Sequence, residues 1–274
     1  MVHSWLSRTA KKSIHLAPPR IDGLVEDGPG YDYYRGPQTR RLANEAQAIR
    51  QSQNILAPTL FDPNFLVYRV RTRIIARWAA DLPRAGLCVL DVGGRLQPYR
   101  PLIQDKLQFY VAIDPTPEGL LDVVAVGENL PFRSDSFHLV ICTQVLNYTS
   151  DPGRVIGEIR RVLRPNGALF LSVPAIFPRY HDQRWRFMPN GLSLLLSGFS
   201  RHEIVPEGGS IAGMFRLLNL FLEVFVLDTR VHSRGHELVE SCMYPMLNTA
   251  GALLDPLSGR NTRFSTNYSC RAIK

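Results

Sequence analysis

The chain has 274 residues, of which 45% are hydrophobic and 20% are charged, and its formal net charge is +8. This length suffices for one sizeable core with appendages, and the composition excludes a largely disordered chain. No apolar stretch reaches the roughly 18 to 20 residues of a membrane span, and the N-terminus lacks the apolar core and cleavage site of a signal peptide. We therefore expect a soluble, cytoplasmic protein.

The spacing of the cysteines and the distribution of basic residues indicate which metals and macromolecules the protein is expected to bind. Cys88, Cys142, Cys242 and Cys270 lie too far apart for a zinc motif, so we expect reduced core thiols and no metal. A basic chain suits nucleic acid, anionic lipid or phosphorylated substrates. Because the basic residues are spread along the chain and no nucleic-acid-binding motif occurs, nucleic acid is not an expected partner.

The first third of the chain predicts an arm and two helices. Residues 1–36 are rich in proline, glycine and charge, which predicts an extended arm. Residues 38–55 favour helix. A second helix is predicted from Asp62, as N-cap, through Pro63 in the first turn to about residue 82.

Two short apolar runs then form the centre of the sequence. Residues 87–92 are apolar except for Asp91 and end at Gly93 and Gly94, which predicts a buried strand followed by a sharp turn. Residues 109–114 repeat the pattern, and the helix-length spacer predicts a βαβ unit. Asp114 follows Gly93 by 21 residues, about the offset at which an acid binds a ribose diol, so we expect a nucleoside-containing cofactor. The alternative is that both aspartates are ordinary turn residues.

Strands and helices alternate through the rest of the chain. Further strands are predicted at residues 121–126, 139–142, 168–173, 202–205 and 264–273, and helices at 151–163, 190–196 and 211–227. This alternation predicts an α/β fold with a doubly wound, mostly parallel sheet of seven strands.

Five segments in this order resemble class I S-adenosylmethionine-dependent methyltransferases, of the subgroup with a type 11 methyltransferase domain. They are residues 89–94 (Val-Leu-Asp-Val-Gly-Gly), 111–114 (Val-Ala-Ile-Asp), 128–132 (Glu-Asn-Leu-Pro-Phe), 136–140 (Ser-Phe-His-Leu-Val) and 158–167 (Glu-Ile-Arg-Arg-Val-Leu-Arg-Pro-Asn-Gly). The resemblance implies a Rossmann-like methyltransferase fold with an antiparallel seventh strand, and S-adenosylmethionine as cofactor.

The resemblance also implies a set of cofactor-binding residues. The turn after the first strand would hold the methionine end, the end of the second strand the ribose, the segment at 128–130 the adenine, and the end of the fourth strand would pass beneath the sulfonium. The implied residues are Asp91, Gly93, Gly94, Asp114, Pro115, Glu128, Asn129, Leu130, Thr143 and Gln144.

The chain departs from the family pattern at several positions, among them His138, which replaces a common aspartate. Arg95 and Gln97 stand where the family usually has glycine, and Val126 stands where an acid is common. Gly94 offers the tight turn one position early. These departures leave open a catalytically inactive relative that acts as an interaction protein.

A polar and aromatic loop follows the predicted fifth strand. Because loops at strand ends carry sites, we expect His181 as general base and an acceptor site in this loop. The predicted substrate-binding residues are Tyr180, Arg184, Trp185 and Arg186. The alternative is that Trp185 packs the loop onto the core and the arginines are solvated. Similar loops in methyltransferases of polysaccharide and glycolipid assembly suggest, by analogy, a glycan acceptor.

We therefore expect a methyltransferase that O-methylates a sugar-containing or phosphorylated acceptor in glycan biosynthesis. Residues 1–60 would form an arm and helix, and residues 61–274 the methyltransferase domain with a helical insertion at about 208–262. The apolar helix at 211–227 would pack on the sheet, in a homodimer or against a membrane surface. A small-molecule or quinone-type methyltransferase is the alternative with the same cofactor. A nicotinamide dehydrogenase is disfavoured because the full Gly-x-Gly-x-x-Gly is missing.

Overall fold

The computed structural model describes residues 38–178, 182–228, 237–259 and 263–274. Two helices precede the sheet, α1 (Gln38–Leu56) and α2 (Phe65–Ala80). The predicted N-cap Asp62 is wrong, because α2 begins three residues later with Asn64 as its N-cap. Asp62 instead closes the preceding turn, where its Oδ1 accepts a hydrogen bond of 2.7 Å from the Asn64 amide.

Seven strands form one sheet in the order β3-β2-β1-β4-β5-β7-β6. They are β1 (Leu87–Val92), β2 (Leu107–Asp114), β3 (Val123–Val124), β4 (Phe137–Thr143), β5 (Leu163–Pro174), β6 (Arg201–Pro206) and β7 (Asn267–Ile273). All neighbouring pairs are parallel except those of β7, which is antiparallel to both β5 and β6. The predicted doubly wound, mostly parallel sheet is confirmed. The strand order reverses between β1 and β4, where ligands of such sheets bind.

Within the described residues, four more helices lie between successive strands. They are α3 (Pro152–Val162), α4 (Pro189–Leu195), α5 (Ser210–Asp228) and α6 (Tyr244–Leu254), the last preceded by a π-helical turn at Val239–Met243. At the start of α3, Asp151 Oδ1 accepts a hydrogen bond of 3.0 Å from the Arg154 amide. Such a cap stabilises a helix by about 1 kcal/mol, which explains why this boundary is readable in the sequence.

The connection from β1 to β2 differs from the expectation. The predicted βαβ helix is absent from residues 93–106, which form two 3₁₀ turns, Arg100–Leu102 and Gln104–Lys106. Pro98 and Pro101 interrupt this stretch and offer no amide donor to a longer helix. The third strand is also shorter than expected, because the Asp122 carboxylate takes the Ala112 amide at 2.8 Å in place of a strand partner.

Two apolar layers enclose the sheet. In β1, Leu90 and Val92 join the layer that α3 and α4 cover, whereas Leu87 and Val89 join the layer beneath α2. Trp78 of α2 is buried in the second layer. Since β1 is closely packed on both faces, the turn that follows it is held in a fixed position.

The helices after β6 pack together and against α2. A buried amide pair, with Asn219 Nδ2 donating to Asn248 Oδ1 at 2.8 Å, joins α5 to α6. The predicted boundary near residue 60 and the helical insertion remain predictions. The four cysteines are unpaired, and three of them are buried. Among the helices of the described segments, none has the length and hydropathy to cross a bilayer.

Candidate functional site

The turn after β1 is a closely packed backbone turn that requires glycine at two positions. The amides of Gly93 and Gly94 both donate to the Ile113 carbonyl of β2, at 2.8 and 3.0 Å. Gly93 has φ +76°, and a Cβ there would lie 2.2 Å from Val145 Cγ2. A Cβ on Gly94 would lie 2.7 Å from the Asp91 side chain. The turn therefore forms a backbone cradle at the carboxyl end of β1.

Asp91 lies buried beside this cradle. Its Oδ2 accepts a 2.5 Å hydrogen bond from the Tyr110 hydroxyl. Burial raises the pKa of Asp91 to about 7; the Tyr110 hydrogen bond opposes this rise, and the negative charges of Asp114 and Asp122 add to it. Three carboxylates thus lie near the ends of β1 and β2, an arrangement that favours a cationic ligand.

We expect the Asp91→Asn variant to be more stable than the wild type at pH 8 but not at pH 4. The folded pKa lies above the ordinary value of 3.8, so the folded protein holds an extra proton between pH 3.8 and about 7. That contribution to stability is present at low pH and is lost as the pH rises through this window. Urea unfolding at several pH values should show the difference in unfolding free energy between variant and wild type growing by roughly 4 kcal/mol from pH 4 to pH 8. A difference independent of pH would contradict the raised pKa.

Asp114 ends β2 next to the cradle. The register pairs Val92 with Ile113, so the residues that follow each strand lie side by side. Asp114 is half-buried, and its Oδ1 accepts a 2.9 Å hydrogen bond from the Thr116 amide. Burial raises the pKa of Asp114, opposed by the Thr116 amide and the positive charge of Arg95. The following Pro115 is exposed.

Arg95 and Gln97, two of the departures from the family pattern, stabilise the loop after β1. The Arg95 carbonyl accepts the Leu120 amide at 2.7 Å, and its guanidinium lies 3.8 Å from Glu118 with both side chains about half exposed. Gln97 is buried; it donates to the Leu120 carbonyl and accepts a 2.9 Å hydrogen bond from Arg100. Arg95 and Gln97 therefore tie the loop after β1 to the loop after β2.

Two residues of the segment predicted to bind adenine, Glu128 and Leu130, already form hydrogen bonds with other protein groups. The Glu128 carboxylate accepts hydrogen bonds from the Ser150 amide at 2.8 Å and the Ser150 hydroxyl at 2.9 Å. Burial alone would raise the pKa of Glu128, but these bonds lower it. The buried Leu130 donates its amide to Glu158 at 2.9 Å, whereas Asn129 is exposed.

Thr143 ends β4, on the other side of β1, and Gln144 is the next residue. Gln144 has φ +59°, a left-handed conformation uncommon for residues other than glycine. Its amide donates to the Ser172 carbonyl at 2.8 Å, and its Nε2 donates to the Ser172 hydroxyl at 3.0 Å. The side chain is therefore held in place, and it lines a cavity.

This cavity, of about 490 Å³, opens beside the ends of β4, β5 and β7. Helix α2 and its N-cap residue contribute Asn64, Tyr68 and Arg71 to the cavity lining, and α5 contributes Arg216 and Glu223. None of these five was predicted as a site residue. The available signal was polarity, because Arg71 interrupts the apolar face of α2, and Arg216 and Glu223 share the polar face of an apolar helix.

A buried ion pair underlies the cavity. Arg71 Nε lies 3.0 and 2.9 Å from the two carboxylate oxygens of Glu207, and the paired side chains are 4% and 0% exposed. The hydroxyls of Ser172 and Ser269 each donate to Glu207 Oε1 at 2.6 Å. Burial alone would lower the pKa of Arg71, but Glu207 raises it, so the guanidinium stays charged. Through Ser172 this pair also supports Gln144.

The predicted substrate loop is only partly visible at the cavity. Tyr180 and His181 lie outside the described residues. Trp185 donates its Nε1 to the Thr149 carbonyl at 2.9 Å, and Arg186 donates to the carbonyls of Trp185 and Pro178 at 3.0 Å each. Arg184 is exposed. Among the described residues of this loop, Phe177, Asp182 and Gln183 line the cavity, whereas the predicted Arg184, Trp185 and Arg186 do not.

Comparisons with known proteins agree with the fold. Residues 90–171 match the model of the family described as methyltransferase domain. The chain is 26% identical over 115 residues to an uncharacterised protein of Methanocaldococcus jannaschii, covering 41% of this chain and 55% of that protein. It is 34% identical over 101 residues to an uncharacterised methyltransferase of Mycobacterium bovis, covering 33% of this chain and 41% of that protein. The chain thus matches only about half, or less, of the length of these relatives.

A solved structure extends the likeness to most of the chain. An N-methyltransferase from Haemonchus contortus, in complex with phosphomonomethylethanolamine and S-adenosylhomocysteine, superposes with a TM-score of 0.50 and 12% identity. The superposition covers 93% of this chain and 71% of that chain, and it shows a shared fold. Residues 90–171 therefore resemble a methyltransferase domain in sequence, and most of the chain shares the fold of that solved structure.

Proposed function

We propose that this protein transfers a methyl group from S-adenosylmethionine to an acceptor bound in the cavity beside Gln144. The observation that carries the proposal is the position of Gln144. It belongs to the cofactor set that the family resemblance implies, and its side chain lines the cavity. A donor bound along β1, β2 and β4 would therefore face an acceptor in the cavity.

The residues at these strand ends fit the cofactor. The turn at Gly93 and Gly94 requires glycine, since a Cβ at either position would collide with protein atoms, and the family resemblance assigns this turn to the methionine end of the cofactor. Asp114 has one oxygen that accepts the Thr116 amide, which leaves the other to accept ribose hydroxyls. The remaining residues proposed to hold the cofactor are Asp91, Pro115, Glu128, Asn129, Leu130, Thr143 and Gln144.

Methyl transfer from S-adenosylmethionine does not require a general acid from the protein. S-adenosylmethionine supplies a methyl on a sulfonium, whose leaving group is a neutral thioether that needs no proton. The cavity residues have to hold the acceptor oxygen in line with the methyl carbon. The acceptor hydroxyl would lose its proton to a base, for which we propose His181.

We propose O-methylation of a sugar-containing or phosphorylated acceptor, as part of glycan biosynthesis in the cytoplasm. The cavity volume lies within the roughly 300 to 1,000 Å³ of typical small-molecule sites, which supports a small acceptor group. Tyr180, Arg184, Trp185 and Arg186 are the proposed contacts from the loop after β5. The exposed Met214, Leu218 and Phe221 of α5 support a contact with a second copy or a membrane surface.

The test of this function combines binding with label transfer. Calorimetric titration with S-adenosylhomocysteine should give saturable heat, and methyl-labelled S-adenosylmethionine should transfer label to a member of a panel of sugars and sugar phosphates. Absence of both results would sink the proposal and favour the inactive relative.

We expect His181→Ala to lower turnover by roughly 100- to 10,000-fold, the usual contribution of a general base. The affinity for S-adenosylhomocysteine should stay within about twofold, because the proposed cofactor set does not include His181. Turnover with the acceptor found above and calorimetry on the same preparation measure the two effects. Loss of both properties together would contradict the proposed role.

A further inference from the structure

We infer that the cavity binds a neutral, hydroxyl-rich part of the acceptor, such as a sugar ring, rather than a phosphate group. This inference rests on the proposed function and narrows its acceptor to one of the two proposed classes. It assigns the recognition to Asn147 and Gln183, which the sequence did not single out.

The arginines of the cavity are committed to protein partners. Arg71 is bound by Glu207 within a buried network. Arg216 is 2% exposed; it donates to Asn64 Oδ1, and its guanidinium lies 5.6 Å from the centre of the Phe177 ring. Phosphate recognition uses cationic donors directed at the phosphate oxygens. In this cavity Arg71 and Arg216 each already have a partner within the protein.

The acidic residues of the lining also disfavour a phosphate. Asp182 and Glu223 both contribute to the cavity wall. Their carboxylates would repel a negatively charged phosphate, and repulsion between like charges is a common source of binding specificity. Since Asp182 is exposed and Glu223 only half-buried, their negative charge is partly hydrated. The deeply buried acceptors are neutral amides, which suit neutral donors better than an ammonium group.

Two of these amide oxygens need a hydrogen-bond donor. Asn147 is 1% exposed, and its Oδ1 accepts no hydrogen bond from the described part of the chain. Gln183 Oε1 is likewise buried and without a donor among the described residues, although Gln183 Nε2 donates to the Tyr148 hydroxyl at 3.0 Å. Unpaired acceptors of this kind destabilise a protein unless something else satisfies them. Both line the cavity, so a ligand can supply the donors.

Aromatic side chains complete the recognition surface. Tyr68, Tyr148 and Phe177 line the same cavity as the two amides. A sugar ring presents apolar C–H faces and an edge of hydroxyl donors. The combination of aromatic rings with unpaired amide oxygens matches both parts of such a ring.

The test is saturation-transfer NMR on the full chain, with and without S-adenosylhomocysteine. The probes are glucose, galactose and rhamnose, with glucose 1-phosphate as the charged counterpart of glucose and ethanolamine as the amine. We expect transfer to at least one neutral sugar, and no tighter binding of glucose 1-phosphate than of glucose. Tighter binding of the phosphate, preference for ethanolamine, or no transfer to any sugar would overturn the inference.

Substitution of Asn147 separates a ligand-binding role from a structural one. Asn147→Leu should weaken sugar binding at least tenfold while leaving the melting temperature unchanged or higher, because it removes an unsatisfied buried acceptor. Asn190→Leu, the same change at an exposed position of α4, serves as the control and should not alter sugar binding. A large fall in melting temperature, or unchanged sugar affinity, in Asn147→Leu would contradict the assignment.

Calorimetry with S-adenosylhomocysteine on the same samples distinguishes the two proposals. Retained cofactor heat without sugar binding would overturn this inference alone. Sugar binding without cofactor heat would instead overturn the proposed function and leave the cavity assignment standing.

Discussion

Replacing Glu207 by alanine is expected to lower the free energy of unfolding by about 3 to 5 kcal/mol. The substitution leaves the Arg71 guanidinium buried without its counter-ion, and it removes the acceptor of the Ser172 and Ser269 hydroxyls. An uncompensated buried charge is among the most destabilising changes that a single substitution can make. Urea unfolding followed by circular dichroism measures the effect.

Two further variants show whether the buried charge is the cause. The double variant Arg71→Met with Glu207→Leu should recover most of the loss, because apolar residues of similar size can replace a buried ion pair. Asp81→Ala, which removes the exposed partner of Arg271, should change the free energy of unfolding by less than about 1 kcal/mol. If Glu207→Ala were as mild as Asp81→Ala, the ion pair would not support the cavity floor.

Replacing Asp114 by alanine is expected to weaken S-adenosylhomocysteine binding at least about 100-fold, enough to abolish the calorimetric signal. We propose that this carboxylate accepts both ribose hydroxyls, and each hydrogen bond to a charged acceptor contributes about 1.5 to 3 kcal/mol. Stability should change little, because within the described residues the carboxylate accepts one hydrogen bond, from the Thr116 amide. Calorimetry and thermal unfolding on one preparation separate the two effects.

Matched variants define the role of the Asp114 carboxylate. Asp114→Asn keeps an acceptor oxygen and should lose less affinity than Asp114→Ala. Asp105→Ala removes an exposed acid from a 3₁₀ turn before the same strand and should bind like the wild type. Unchanged affinity in Asp114→Ala would remove the carboxylate from the cofactor site.

The sheet could be predicted because its signal is local. The first strand is a nearly uninterrupted apolar run, and the structure buries all six residues of β1. The start of α3 could be predicted for a similar reason, since Asp151 and Pro152 form a cap and first turn that depend only on neighbouring residues. The family resemblance then gave the expected order of the strands.

The buried ion pair and the cavity could not be predicted, because they depend on contacts between residues that are distant in the sequence. Glu207 lies in a Pro-Glu-Gly-Gly stretch that predicts a turn, and nothing local indicates that its carboxylate is buried against Arg71, 136 residues away. The absent helix between β1 and β2 was a local error, because Pro98 and Pro101 were visible in the sequence. The cavity itself arises where α2 and α5 meet the sheet, a packing that no single segment encodes.

The proposed cofactor site is tested most directly by a crystal structure of the full chain, determined from crystals soaked with S-adenosylhomocysteine. We predict density for the adenosyl group between the Gly93–Gly94 turn and Asp114, with the ribose hydroxyls within hydrogen-bond distance of the carboxylate and the sulfur near Gln144. Ligand density elsewhere, or an Arg95 side chain that fills this space, would contradict the central claim.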